Sequence, residues 1–323
     1  MKILITGGAG MVGSNLSKRL IDEGHEITII DNFWRGSKRN LESLGLKPNQ
    51  YNLIKADLSE EGPWEEAFKD IECVYHLADI VAGIGYVFSN EGFIFRQNLK
   101  INSNVAQACE KQEVKRYVYV GTACSFPLEL QLSVDSPPLL EEDQFPANPE
   151  SAYGWSKLMG ELDAKYLSEQ GMDTVILVFH NVYGGPCDFS EETGQVIPSL
   201  ISRALNSKDK NLIVWGDGSQ GRAFVNVYDV VQALVSALYK GENSGPIQIG
   251  PDNCTSIKTL AEIIVKKIDE NITIQYDLSK PTGDKGRCAN YGKANKLLLW
   301  EPKVKLEDGI EDLIEYIRSE RKN

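Results

Sequence analysis

Residues 1–13 read MKILITGGAGMVG, and this stretch decides the fold. Positions 2–6 form a short apolar run, of the kind that is buried on both faces in a parallel sheet. Glycines at 7, 10 and 13 then close the run and open a helix expected over about 11–23. Glycine lets the backbone turn sharply and approach a pyrophosphate. The helix N-terminus adds unpaired amides and the positive end of a dipole. Strand, turn and helix stand in the order a dinucleotide site requires. A tight turn with close helix packing would not by itself explain three glycines at three-residue spacing. Gly7, Gly10, Met11, Val12 and Gly13 are therefore expected to hold a dinucleotide.

Working outward, Asp31 ends a second buried strand, 18 residues after Gly13. An acid there accepts hydrogen bonds from adenosine ribose hydroxyls and repels a 2′-phosphate, which favours NAD over NADP. Arg35, Lys38 and Arg39 follow closely and keep NADP as the minority reading. Asp57 and Leu58, just past a third strand, are placed either to contact adenine or simply to cap a helix. Further strands are expected at 72–76, 116–121 and 174–179, with helices near 64–69, 94–111 and 151–170. Buried β-branched runs alternating with helices predict an α/β fold with a doubly wound parallel sheet.

After about Val182 the alternation loosens. Helices are expected near 195–206, 228–239 and 257–268, with short strands at 212–214 and 247–249. In the last helix Leu306, Ile310, Leu313, Ile314 and Ile317 form one stripe, which reads as core packing. The expected division is a dinucleotide-binding Rossmann domain over 1–180 and a smaller α/β substrate-binding region over 181–323, with some interleaving of the chain.

Composition narrows the partners. With 46 Asp+Glu against 34 Lys+Arg the formal net charge is -12, which opposes binding to a nucleic-acid polymer. No stretch approaches the roughly 18 apolar residues of a membrane span. The six cysteines are scattered without a Cys-x-x-Cys pair, and the three histidines add no zinc spacing. No metal is expected, and a reduced cytoplasmic setting is the simplest reading.

Tyr153 and Lys157 are four residues apart on an expected helix and so share one face. A tyrosine works as a base only if its pKa falls well below about 10, which a nearby ammonium and a nicotinamide cation would promote. Alone, Tyr-x-x-x-Lys is common by chance and reads equally as a solvated helix face. Some 140 residues past a dinucleotide motif it gains weight.

Together, the glycine turn, Asp57-Leu58, Tyr153-Gly-Trp-Ser-Lys157 and His180-Asn-Val-Tyr-Gly184 resemble the extended short-chain dehydrogenase/reductases that act on nucleotide sugars. Within them the chain is most similar to the GDP-mannose 3,5-epimerases. Segments 77–86, 121–127 and 215–224 and the pair Gly286-Arg287 carry that likeness, which spans nearly the whole chain. The resemblance implies a cycle in which Tyr153, activated by Lys157, takes the proton of a sugar C4 hydroxyl while hydride passes to NAD. Thr122 would position that hydroxyl. The 4-ketone then acidifies the C3 and C5 protons, and Cys124 stands where the family has an acid/base cysteine. A small buried hydrophobe is the bland alternative for Cys124. Leu77 and Ala78 would line the cofactor. Gly83, Ile84 and Gly85 would lie near the sugar, and Asn98 would help fix the active-site helix. Asn181, Arg203, Arg222 and Arg287 would hold the diphosphate and base, since the planar guanidinium suits phosphate oxygens. Surface solubility remains open for Arg203. A homodimer through the helices near 98–111 and 151–170 is also implied.

One departure matters. Aligned on Pro198, the family's opposing acid/base lysine is Val196 here, and valine cannot transfer a proton. A related subfamily places a histidine where this chain has Cys187. Either Cys187 replaces the missing acid, or the enzyme stops at C4 oxidation or inverts a single centre. A silent NAD(H)-binding regulator is the alternative from another class, opposed by the intact Thr122, Tyr153 and Lys157.

Overall fold

The apolar runs that close on Gly7, Asp31, Leu77, Thr122 and His180 are buried strands that need a covered neighbour on each side. In the computed structural model, which describes residues 1–190, 193–280 and 282–322, they lie side by side in one parallel sheet. Its strands are β1 (Lys2–Thr6), β2 (Glu26–Asp31), β3 (Tyr51–Lys55), β4 (Cys73–His76), β5 (Arg116–Thr122) and β6 (Asp173–Phe179), with Pro246–Ile249 as a seventh. The order runs Pro246–Ile249, β6, β5, β4, β1, β2, β3. Ile3 stands opposite Ile27 on one side and Cys73 on the other, so β1 is central. The order reverses between β1 and β4, and a crevice opens there beyond the strand ends.

Alternation along β1 divides the core. Ile3 and Ile5 pack on one face with Leu16 and Leu20 from the helix Met11–Asp22, and with Val230 and Leu234 from Val227–Ala237. Leu4 turns to the other face, where Ile101, Val105, Ala164 and Leu167 from the helices Glu91–Lys111 and Ala152–Glu169 cover it. The sheet is thus wound on both sides. Segment 64–69, expected to be helical, is a 3₁₀ helix over Pro63–Phe68.

A third cluster gathers Ile197, Leu200, Ile201, Leu212, Val214, Leu260 and Ile264 with the stripe Ile310, Leu313, Ile314 and Ile317. Two elements from beyond residue 181 nevertheless return to the first layer: the helix Val227–Ala237 and the edge strand Pro246–Ile249. Among the described residues no helix is long and apolar enough to cross a membrane.

Candidate active site

The C-terminal ends of the strands and the loops of the second cluster enclose a cleft of about 490 Å³. At its floor two loops cross at the switch point, and a Cβ on Gly7 (φ +66°) would meet the Ala78 amide nitrogen at 2.9 Å. A Cβ on Gly13 would run into the Gly7 carbonyl. Thr6 at the end of β1 steadies this crossing, its Oγ1 accepting from the amides of Leu77 (3.1 Å) and Ala78 (3.2 Å). Gly10 offers no side-chain cap to the helix Met11–Asp22, and no acid lies in its first turn. The end near Met11 and Val12 is therefore open to an anion.

Asp31 is buried, its carboxylate accepting from the amides of Ala9 (3.0 Å) and Phe33 (2.8 Å). Burial raises its pKa and the two amides offset part of that rise. Each oxygen keeps a lone pair for a ribose hydroxyl. Of the nearby cations, Arg39 pairs with Glu320 at 2.8 Å and Arg35 donates to the Val81 carbonyl at 3.0 Å. Asp57 accepts from the Ser59 amide (2.9 Å) and hydroxyl (2.7 Å), as in a capping turn, while still facing the cleft with Leu58. Burial opposes its ionisation, but the Ser59 and Asn32 bonds win and hold the carboxyl below its ordinary value. The open helix end, the cradle around Gly13 and the acid at β2 fit a dinucleotide bearing free ribose hydroxyls.

At the centre of the cleft Tyr153 donates to Asp79 Oδ2 at 3.0 Å, and Lys157 Nζ lies 3.4 Å from the same oxygen. Lys157 is buried behind the cleft wall, 4.8 Å over the Tyr119 ring, and touches the cleft-lining Asp79. Burial first, and then the Asp79 charge, push the Tyr153 phenol well above its usual pKa. The lysine's charge is turned to Asp79, a carboxylate not singled out in the sequence. Asp79 lies in the quoted 77–86 segment, but only the tertiary fold brings it to Tyr153.

Thr122 ends β5 and accepts from the Cys124 amide at 3.2 Å, which sets the thiol's position in the cleft. Asn98, fully buried, accepts from the Ile80 amide (2.7 Å) and donates to Ser156 Oγ (3.2 Å), tying the Asp79 loop to the Tyr153 helix. Gly83 caps the short helix Ile84–Ser89, and a Cβ on Gly85 would touch the Trp215 ring at 3.5 Å.

Asn181, Arg203, Arg222 and Arg287 line the opposite wall with Cys187 and Val196. Arg222 and Arg287 are buried on paired strands, Gly221–Arg222 beside Gly286–Arg287. Arg222 donates to the Asp284 carbonyl at 2.7 Å, and Arg287 to the Asp284 carboxylate at 2.5 Å. Burial and the neighbouring Arg287 lower Arg222 to about 10, so it stays charged at neutral pH. Arg203 donates to the Ile213 carbonyl at 2.7 Å. Burial, then Asp188, pushes the Cys187 thiol up to about 12, which keeps it protonated in neutral solution. Of the residues singled out in the sequence, Lys157 and the buried Asn98 stand behind the cleft and Lys38 and Arg39 lie outside it, while the other site residues line it. Among the described residues no group of three or more His, Cys, Asp or Glu is placed to hold a metal.

This cleft can be set beside known proteins. The family model described as "NAD dependent epimerase/dehydratase family" matches residues 3–250. The chain belongs to that family. It is accordingly an NAD-dependent enzyme that modifies nucleotide sugars. It is 30% identical over 311 residues to GDP-mannose 3,5-epimerase 1 of Oryza sativa subsp. indica, covering 96% of this chain and 80% of that one. It is 29% identical over 323 residues to UDP-glucuronic acid decarboxylase 1 of Xenopus tropicalis, covering 99% and 72%. Among solved structures it superposes on the UDP-glucose 4-epimerase of Thermotoga maritima with UDP-glucose. That TM-score is 0.89 at 26% identity, covering 99% of this chain and 100% of that one. The UDP-glucuronic acid 4-epimerase of Bacillus cereus, in complex with UDP-glucuronic acid and NAD, gives 0.83 at 27%, covering 99% of each.

Proposed function

We propose that the enzyme oxidises the sugar of a nucleotide sugar at C4 to a 4-keto species, with a GDP-sugar as the favoured substrate class. The observation that carries this reading is the set Thr122, Tyr153 and Asp79 at the centre of a cleft, with Lys157 behind Asp79. One end of that cleft suits a dinucleotide and the other presents two buried arginines. Bound NAD supplies a hydride acceptor beside C4 that can later return the hydride. Tyr153 takes the C4 hydroxyl proton while its own passes to Asp79, within hydrogen-bond distance. Lys157 holds Asp79 and Tyr153 in register, and Thr122 orients the hydroxyl. Arg222 and Arg287 neutralise the diphosphate, with Asn181 and Arg203 toward the base. The segment 83–85 closes over the sugar, and Cys124 serves as an acid/base at carbon once the ketone has formed. In this reading residues 1–180 hold the cofactor and 181–323 the nucleotide sugar, apart from the segments that return to the first layer. The enzyme acts as a cytoplasmic homodimer, and Phe93 and Tyr166 remain exposed on the two helices expected to pair.

Val196, where the 3,5-epimerases carry a lysine, favours a second reading: C4 oxidation alone, or inversion at a single centre. Both are tested by incubating the holoenzyme with GDP-mannose and, separately, UDP-glucose in deuterium oxide. Bound reduced cofactor and sugar mass are then followed. The Tyr153→Phe variant should bind NAD yet form reduced cofactor at least a hundredfold more slowly. Undiminished formation would refute the mechanism. Label without net reduction supports epimerisation, whereas accumulating reduced cofactor without label supports the dehydrogenase.

A further inference from the structure

A carboxyl pair stands in the same cleft, outside the Tyr153 group. Glu150 is exposed to the cleft, immediately before Ser151, whose hydroxyl caps the Tyr153 helix. Glu150 Oε2 accepts from the Asp284 amide at 3.2 Å, which brings the two carboxyls into each other's field. Asp284 is only 4% exposed, and its Oδ1 has no hydrogen-bond partner, although Oδ2 receives Arg287. Two acids, Glu150 and Asp284, thus meet two guanidiniums, Arg222 and Arg287, and the Cys124 thiol is near enough to Arg287 to interact with its charge.

We propose that Glu150, backed by Asp284, is the second proton-transfer group of this cleft and the counterpart of Cys124 at the sugar carbon beside the C4 ketone. This rests on the 4-keto reading above. Geometry places Glu150 in the same cleft as Cys124, whereas Val196 has no titratable atom and Cys187 is held protonated. Partial desolvation in the cleft wall and the facing Asp284 raise the Glu150 carboxyl to about 7, with the two arginines opposing, which suits proton exchange at neutral pH. The step balances. A Glu150 oxygen accepts the proton from the carbon next to the ketone: the C–H bond breaks, an O–H bond forms, and the electron pair passes into an enolate on the C4 oxygen. The Cys124 S–H then breaks and a new C–H bond forms as the ketone is restored. The resulting thiolate lies beside the Arg287 guanidinium and regains its proton from Glu150 or solvent.

The test uses NAD-loaded enzyme with GDP-mannose and UDP-glucose as probes in deuterium oxide, comparing wild type with Glu150→Gln. The readout is the ratio of carbon-bound deuterium incorporation to formation of reduced cofactor. That ratio should fall about a hundredfold or more in the variant. The limb near neutrality in the wild-type label-rate profile should vanish, and Glu150→Asp should restore part of the rate. An unchanged ratio would overturn the proposal, as would a Glu150→Gln profile that keeps the limb. If wild type forms no reduced cofactor with either probe, the 4-keto reading itself fails and this inference falls with it. Reduced cofactor forming normally beside an unchanged ratio removes Glu150 alone.

Discussion

Glu161 offers the most direct check of the electrostatics behind the cleft. It lies one helical turn past Lys157 and is 4% exposed. Its carboxyl accepts from Gln144 Nε2 at 2.7 Å and, more weakly, from Ser125 Oγ at 3.3 Å. A Cβ on Gly121 would come within 2.5 Å of it, so β5 leaves it no room to reach water. Burial raises this carboxyl from 4.5 to about 7 despite the Gln144 and Ser125 bonds and the Lys157 charge. A raised folded-state pKa means that the native state binds the proton more tightly than the unfolded chain. The stabilisation is full below the unfolded value and is lost as pH rises through about 7. The gap between 4.5 and about 7 corresponds to at most about 3 kcal/mol, of which about 2 falls between pH ~5.5 and ~8.5. Glu161→Gln keeps an acceptor for Gln144 and removes the charge. Urea unfolding of both proteins across that window should show the variant gaining on wild type by about 2 kcal/mol toward the alkaline end. Parallel pH curves would refute the reasoning.

Gly13→Ala forces a methyl into the Gly7 carbonyl and should weaken NAD binding more than tenfold, with a stability loss of about 1–3 kcal/mol. Calorimetric titration with NAD checks it, and wild-type affinity would contradict the cradle. Asp31→Asn replaces one of two acceptor oxygens facing the Ala9 and Phe33 amides, so NAD affinity should fall by about 1–3 kcal/mol. Its NAD over NADP preference should narrow, and an undisturbed ratio of dissociation constants would count against the ribose assignment. Asp79→Asn removes the charge that helps hold the Tyr153 phenol up, so tyrosine difference spectra should show its ionisation moving down. Formation of reduced cofactor should slow about a hundredfold if Asp79 takes the phenol proton, and an unaltered rate would exclude that role.

The first thirteen residues were enough to read the architecture, because each constraint there is local. An apolar run must bury both faces, a glycine must supply the turn, and a helix end must meet an anion. The same locality made Asp31 and the Tyr153–Lys157 spacing readable, since both follow from distance along one strand or one helix. The looser second half was harder. The stripe from Leu306 to Ile317 showed a buried face, but nothing local tells that Val227–Ala237 packs back on the Met11–Asp22 helix. What only the tertiary structure decided are the pairings between loops far apart in the chain. Asp79 reaches Tyr153 across 74 positions and Glu150 meets Asp284 across 134. Charge on a titratable group depends on what surrounds it in space. The sequence therefore named the tyrosine and lysine of the candidate site, while the fold alone revealed Asp79 beside them and the Glu150–Asp284 pair elsewhere in the cleft.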